Sequence, residues 1–397
     1  MGARVIVYTG KGGVGKTSVA AATGVLCAGK GHKTLVVSTD VAHSLGDAFG
    51  QRVDAEPTQL GPGLWAQETD VYRTIRLYWG DVQRYFADVF QWRGLDAVVA
   101  EEMSVLPGLD ELASLLQIVE HHEKGAFDVI IVDAAPTGET IRLLSLPEAM
   151  RWWLERILPL QRRAARLAGP LLRRLTGMPM PSDAVFRAGE DLFRKLDRMH
   201  RLLSDPESSS IRIVLNLERM VIAEARRSFT YFHLFGYPVD LIVCNRVLPE
   251  DVGAYFAPLR EAQRAYLPRV QGAFAPVPIR IAAQFGNEVT GDETLRALGS
   301  AIFGDDDPAG FFYRGRPFRI ERQNGALVLL LELPFVEKGE VDVARTGDEL
   351  VVQVGPWRRN LMLPRVLADL PTAKADLDNG VLRVRFGSPG AAKAIET

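Results

Sequence analysis

The chain has 397 residues, 47% of them hydrophobic and 24% charged, with a formal net charge of −2. That length exceeds one small domain and suits a large core plus a smaller module. The near-neutral charge predicts no nucleic-acid partner. Two cysteines far apart in sequence, Cys27 and Cys244, predict no disulfide framework and fit a reducing compartment.

The first predicted element is a strand over Arg4 to Tyr8. No basic-then-apolar leader precedes it, so the sequence predicts a cytoplasmic protein without a secretory signal. A glycine loop follows: Gly10, Lys11, Gly12, Gly13, Val14, Gly15, Lys16, Thr17, with Ser18 opening a helix. Strand, G-x-x-x-x-G-K-[ST] and helix in that order form a phosphate cradle. The glycines let backbone N–H groups curl round the phosphates, and the helix N-terminus adds partial positive charge. Lys16 is expected to reach the β- and γ-phosphates and Thr17 to hold Mg²⁺. Lys11 makes this the two-lysine form of the loop. That form implies a homodimer in which Lys11 reaches the partner's phosphates and stabilises transfer, as an arginine finger does.

A second strand, Lys33 to Asp40, places Asp40 where open α/β sheets bind ligands. A carboxylate there can orient the attacking water or help hold the Mg²⁺ hydration shell. Helical patterns occupy about 70–124, and a strand over 127–138 puts Asp133 in position to anchor magnesium through water. More helix is expected at about 147–205, then strands at 209–218 and 239–249. The strands are continuous apolar runs separated by helices, the pattern of a doubly wound, mostly parallel α/β sheet of the P-loop NTPase class.

The two helical stretches are unusually apolar, with Tyr78, Tyr85, Phe86 and Met103 in one and Trp152, Trp153, Met178 and Met180 in the other. Such helices either pack on the sheet or present a groove for apolar partners. Residues 151–201 also carry a net charge of +7, twelve Arg or Lys against five Asp or Glu. That charge could attract an acidic surface, or it could be an ordinary solvated face. No apolar run approaches the ~20 residues of a membrane span. Residues 305–317 (DDDPAGFFYRGRP) read as a linker between a domain over 1–304 and one over 318–387. In the second, short β segments and turns such as Asn324-Gly325 and Asn379-Gly380 predict an all-β sandwich.

The motifs GKGGVGKT, STDVAHSLGDAFG (38–50) and VDAAPTGETIRLLSLP (132–147) resemble the loop, first switch and second switch of the ArsA-type ATPases. That family includes arsenite-pump ATPases and the ATPase that targets tail-anchored membrane proteins. The resemblance implies ATP hydrolysis with Mg²⁺ by a homodimer, with Asp40 activating water. It places His43 and Asp47 in the first switch, and Pro136, Thr137, Gly138 and Glu139 in the second. It implies that Asn245 contacts adenine and that a loop from Pro276 and Val277 to Gly291 closes over the base. The expected partners are a hydrophobic client protein or a membrane protein. Val41 and Glu139 depart from the family pattern. No zinc is expected, since two distant cysteines cannot supply the four ligands it needs. Arsenite activation is not expected either, because both cysteines read as core. The C-terminal part looks like the α-crystallin domain of small heat-shock proteins, without the long exchange loop or the Ile-x-Ile tail.

Overall fold

The computed structural model describes residues 2–39, 44–68, 84–85, 87–94, 109–134, 183–323 and 326–387. Its centre is an eight-stranded sheet. The strands are β1 (Arg4–Thr9), β2 (Thr34–Ser38), β3 (Thr58–Gly61), β4 (Leu64–Glu68), β5 (Val129–Asp133), β6 (Ser209–Leu215), β7 (Val239–Val247) and β8 (Ile279–Ala283). Their spatial order is β3-β4-β2-β5-β1-β6-β7-β8, and only β3 pairs antiparallel. Strands β1, β2, β5 and β6 are buried almost throughout, as a sheet covered on both faces requires.

Helix α1 (Lys16–Gly29) runs from the glycine loop and is apolar on nearly every side. It is sandwiched between the sheet and a later helix, so small residues sit at both contacts. A Cβ on Gly24 would run into Val36, and one on Gly299 into Leu26. Further helices among the described residues include α2 (Ser44–Phe49), α3 (Leu109–Lys124), α4 (Asp183–Ser204), α5 (Arg219–Leu234), α6 (Ala257–Phe274), α7 (Asp292–Phe303) and the short α8 (Arg365–Ala368). It is α7 that covers α1.

Residues 305–317 are tied down rather than loose. Arg212 of β6, wholly buried, donates to Asp240 of β7 at 3.2 Å, to the Tyr8 hydroxyl at 3.2 Å and to the carbonyl of Gly310 at 2.9 Å. Arg4 donates to the carbonyl of Ala309 at 3.2 Å and lies over the Phe311 ring. Phe312 stacks on Phe303, and its N–H reaches Asp240 at 3.4 Å. Burial alone would lower the Arg212 pKa, but the Asp240 charge outweighs it and holds the guanidinium protonated.

Seven further strands follow: β9 (Phe318–Gln323), β10 (Ala326–Glu332), β11 (Val341–Thr346), β12 (Glu349–Val354), β13 (Trp357–Met362), β14 (Thr372–Asp378) and β15 (Val381–Phe386). They form two antiparallel sheets, β14-β15-β10-β9 and β11-β12-β13. This β-sandwich docks on α5 and α6. Phe335 packs against Phe229 and Phe274, and Trp357 lies against Tyr231 and Phe235. Arg359 donates to the carbonyl of Leu234 at the end of α5, and Thr230 donates to that of Pro334 at 2.5 Å. Within this contact His233 is buried, and its Nδ1 has no hydrogen-bond partner among the described residues. Burial pushes its pKa down to about 3.

Candidate active site

The site lies at the carboxyl ends of the parallel strands, where α/β sheets bind ligands. Between β1 and α1 the loop turns with left-handed φ at Gly13 and Gly15. No side chain fits at the first or last of its glycines. A Cβ on Gly10 would strike the carbonyl of Val214, and one on Gly15 the amide of Asn245. Lys16, the first helical residue, is 7% exposed, and its ammonium has no acidic partner among the described residues. A buried, uncompensated cation above a helix N-terminus is chemistry suited to a polyanion.

Beside it, the Thr17 hydroxyl donates to Oδ2 of Asp133 at 2.7 Å and lies 3.3 Å from the Ser44 hydroxyl. Asp133 ends β5 and is 1% exposed. Hydroxyl and carboxylate oxygens together are hard donors, a set that fits Mg²⁺ rather than zinc.

A cavity of about 540 Å³ extends from here. Thr17, Ser18, Ser44, Asp47, Asn245 and Arg246 line one side, and residues 283–290 the other. Two contacts fix α2 beside it, the first to β4 and the second to the opposite wall. The Gly46 N–H donates to Glu68 at 2.8 Å, and the Gly291 N–H donates to the carbonyl of Ala48 at 2.9 Å, so the 283–291 segment is joined to α2.

Residues 3–304 match the model of the anion-transporting ATPase family, and residues 324–386 match the HSP20-like domain found in ArsA. The chain belongs to the anion-transporting ATPases. It is 36% identical over 386 residues to a putative arsenical pump-driving ATPase 1 of Aquifex aeolicus, covering 94% of this chain and 98% of that one. It is also 36% identical over 390 residues to a putative arsenical pump-driving ATPase of Chlorobaculum tepidum, covering 96% of each. An ATPase ASNA1 homolog of Entamoeba dispar is 28% identical over 299 residues, covering 73% of this chain and 90% of its own length. The chain is thus an ATPase that binds nucleotide.

The structure brings Gly10, Lys11, Gly12, Gly13, Val14, Gly15, Lys16, Thr17, Ser18, Asp47, Asp133 and Asn245 to one end of the sheet. Asp40, His43, Pro136, Thr137, Gly138 and Glu139 lie outside the described residues. Pro276 and Val277 are not at the site. They precede β8, and the Pro278 carbonyl accepts from Ile242 at the amino end of the parallel pair. The strand then carries the chain some 16 Å, at about 3.3 Å per residue, before residues 283–290 reach the cavity. β8 is short, half-exposed and preceded by prolines, so its sequence lacks the long apolar run of a central strand.

Asn245 lines the cavity, but its Nδ2 donates to the carbonyl of Val14 at 2.9 Å. Asn216, with its amide turned so that both ends are satisfied, donates to the same carbonyl at 3.3 Å. Neither Asn216 nor Arg246 was singled out in the sequence. The signal for each was its place at the carboxyl end of an apolar strand, Asn216 just after β6 and Arg246 among the last residues of β7.

Proposed function

We propose that this ATPase works as a Mg²⁺-dependent homodimer whose nucleotide cycle opens and closes a hydrophobic groove that targets or chaperones apolar client proteins. The observation that carries the nucleotide chemistry is the Thr17–Asp133 contact at 2.7 Å beside the buried Lys16. Thr17 would hold the metal directly and Asp133 through water. Bound there, the ion neutralises charge on the β- and γ-phosphates. Lys16 and the loop N–H groups bind the same oxygens, Asp40 orients the attacking water, and Lys11 of the partner subunit stabilises the charge that builds up on transfer. We assign the groove to the stretches about 70–124 and 147–205 from their sequence alone; residues 69–83, 95–108 and 135–182 lie outside the described residues. The targeting role rests on the likeness of the switch motifs to those of the ArsA-type family, which includes the tail-anchored-protein ATPase, and on the similarity to an ATPase ASNA1 homolog.

A second reading, an energising subunit of an anion membrane pump, is favoured by the names of the Aquifex and Chlorobaculum relatives. Its arsenite version is disfavoured by the thiols. Cys27 and Cys244 are fully buried, and burial pushes both up to about 12, so neither offers a thiolate. Among the described residues no helix is long and apolar enough to cross a membrane.

The test is ATP turnover with Mg²⁺ for the wild type, Lys11→Ala and Asp40→Asn, with mass from light scattering with and without nucleotide. The expected result is a nucleotide-dependent dimer whose variants fold but lose about 10²-fold or more in turnover. A monomer under every nucleotide, or normal turnover by Lys11→Ala, would overturn the cross-subunit mechanism.

A further inference from the structure

Arg246 follows Asn245 at the end of β7 and sits at φ 56, a left-handed conformation. Side-chain-bearing residues rarely adopt it and keep it only where their surroundings impose it. Here the imposing group is Gln263 of α6, 5% exposed. Its carbonyl oxygen accepts the Leu248 N–H at 2.8 Å, and its amide donates to the Arg246 carbonyl at 3.4 Å. The buried glutamine clamps the turn on both sides. The result is a guanidinium aimed at the glycine loop, with Nη1 donating to the carbonyl of Gly13 at 3.0 Å. Arg246 has no acidic partner among the described residues.

The next carbonyl in the loop, that of Val14, is held by Asn245 at 2.9 Å. Two consecutive peptide planes are therefore anchored by two consecutive side chains of one strand end. In a planar trans peptide the C=O and the following N–H point in opposite directions. Fixing the Gly13 and Val14 carbonyls toward β7 turns the N–H groups of Val14 and Gly15 to the far side, into the loop. The Val14 N–H makes only a long bond to the Lys11 carbonyl, 3.5 Å from nitrogen to oxygen, which leaves it open to a stronger acceptor. Successive N–H groups facing one concavity make an anion nest.

We propose that Arg246 is a positioning residue for phosphate binding: it acts through the Gly13 carbonyl to hold the loop's N–H groups toward the β-phosphate, without contacting the base. This rests on the reading of residues 10–18 as the phosphate cradle. Loss of a charge-assisted bond of this kind is expected to weaken binding by about tenfold or more.

The experiment compares binding of ATP, ADP and AMP, with Mg²⁺ present, to the wild type, Arg246→Met, Arg246→Lys, Gln263→Leu and Lys16→Ala. Steady-state turnover is measured alongside. Arg246→Met should lose about tenfold for ATP and ADP and little for AMP, which has no β-phosphate. The kinetic loss should fall more on KM than on kcat, Arg246→Lys should recover much of the affinity, and Gln263→Leu should show the same nucleotide pattern at smaller size. An equal loss for AMP would place Arg246 against the base or ribose and overturn the proposal. So would unchanged ADP affinity in Arg246→Met while Lys16→Ala loses it. Normal ADP binding by Lys16→Ala would instead bring down the cradle reading itself.

Discussion

The buried imidazole at the junction of the ATPase body and the β-sandwich makes stability depend on pH in a calculable direction. His233 is 5% exposed, with a pKa pushed from 6.5 to about 3 by burial. Its nearest acid is Glu332 of β10 at 3.8 Å. That distance is too long for a hydrogen bond, and the carboxylate is already engaged by Arg319 at 2.7 Å. Burial therefore dominates. With the folded pKa below the unfolded one, the folded state binds fewer protons, so stability rises with pH across this window. The contribution is fully present above 6.5 and is lost as pH falls toward 3. At pH 5 the gap is about 1.5 pH units, worth about 2 kcal/mol at 1.36 kcal/mol per unit. Equilibrium urea unfolding from pH 8 to pH 5 should show this loss in the wild type. His233→Phe, which suits the neighbouring Phe229 ring at 4.3 Å, should lack it. Parallel pH profiles for the two proteins would show that Glu332 accepts the protonated ring, and would refute the reasoning.

Two other perturbations have definite expected outcomes. Asp240→Asn removes the one carboxylate that serves both Arg212 and Arg4, leaving a buried cation uncompensated. It should cost about 3–5 kcal/mol, read as a lower urea midpoint together with faster proteolysis within 305–317, and an unchanged midpoint would refute it. Cys27 and Cys244, with thiols pushed up to about 12, should resist thiol reagents at pH 8 until the protein is unfolded. Stoichiometric native labelling would reopen the thiolate reading.

Strands β1, β2, β5, β6 and β7 were legible because burial on both faces writes itself as continuous apolar runs, as in VIIVD of β5, whereas β4 (LWAQE) has no such run and was missed. The edges were not legible either. β3 (TQLG) and β14 (TAKADLD) are polar because an edge strand keeps one side in water, and both were missed. β8 was hidden by the prolines ahead of it, and the segment from Pro276 and Val277 to Gly291, placed over the base by resemblance, contains this strand. The linker was recognised by its acids and glycines, yet Phe311 and Phe312 seat it on Arg4 and Asp240. The phosphate loop was the clearest signal because its chemistry lies in one contiguous string. Arg246 left no such trace, since its role comes from a backbone angle and from Gln263, a residue seventeen positions further on.

Helix α6 bears on both ends of the molecule. Gln263 clamps the Arg246 turn at the nucleotide site, and Phe274 in the last turn packs on Phe335 of the sandwich. Between them stands Pro268. A proline inside a helix removes the bond to the carbonyl four residues back and softens the rod at that point. A displacement of the sandwich is then expected to be absorbed at Pro268 before it reaches Gln263. On that expectation the two ends have separate tasks: docking of the sandwich sets stability, and the clamp at Gln263 sets the shape of the glycine loop. Loosening the sandwich contact should then register in unfolding and not in nucleotide affinity. Phe335→Ala, which removes the ring packed on Phe229 and Phe274, should lower the urea midpoint while ADP affinity stays as in the wild type. A loss of ADP affinity in the folded variant would mean that α6 transmits strain past its proline, and the separation would be wrong.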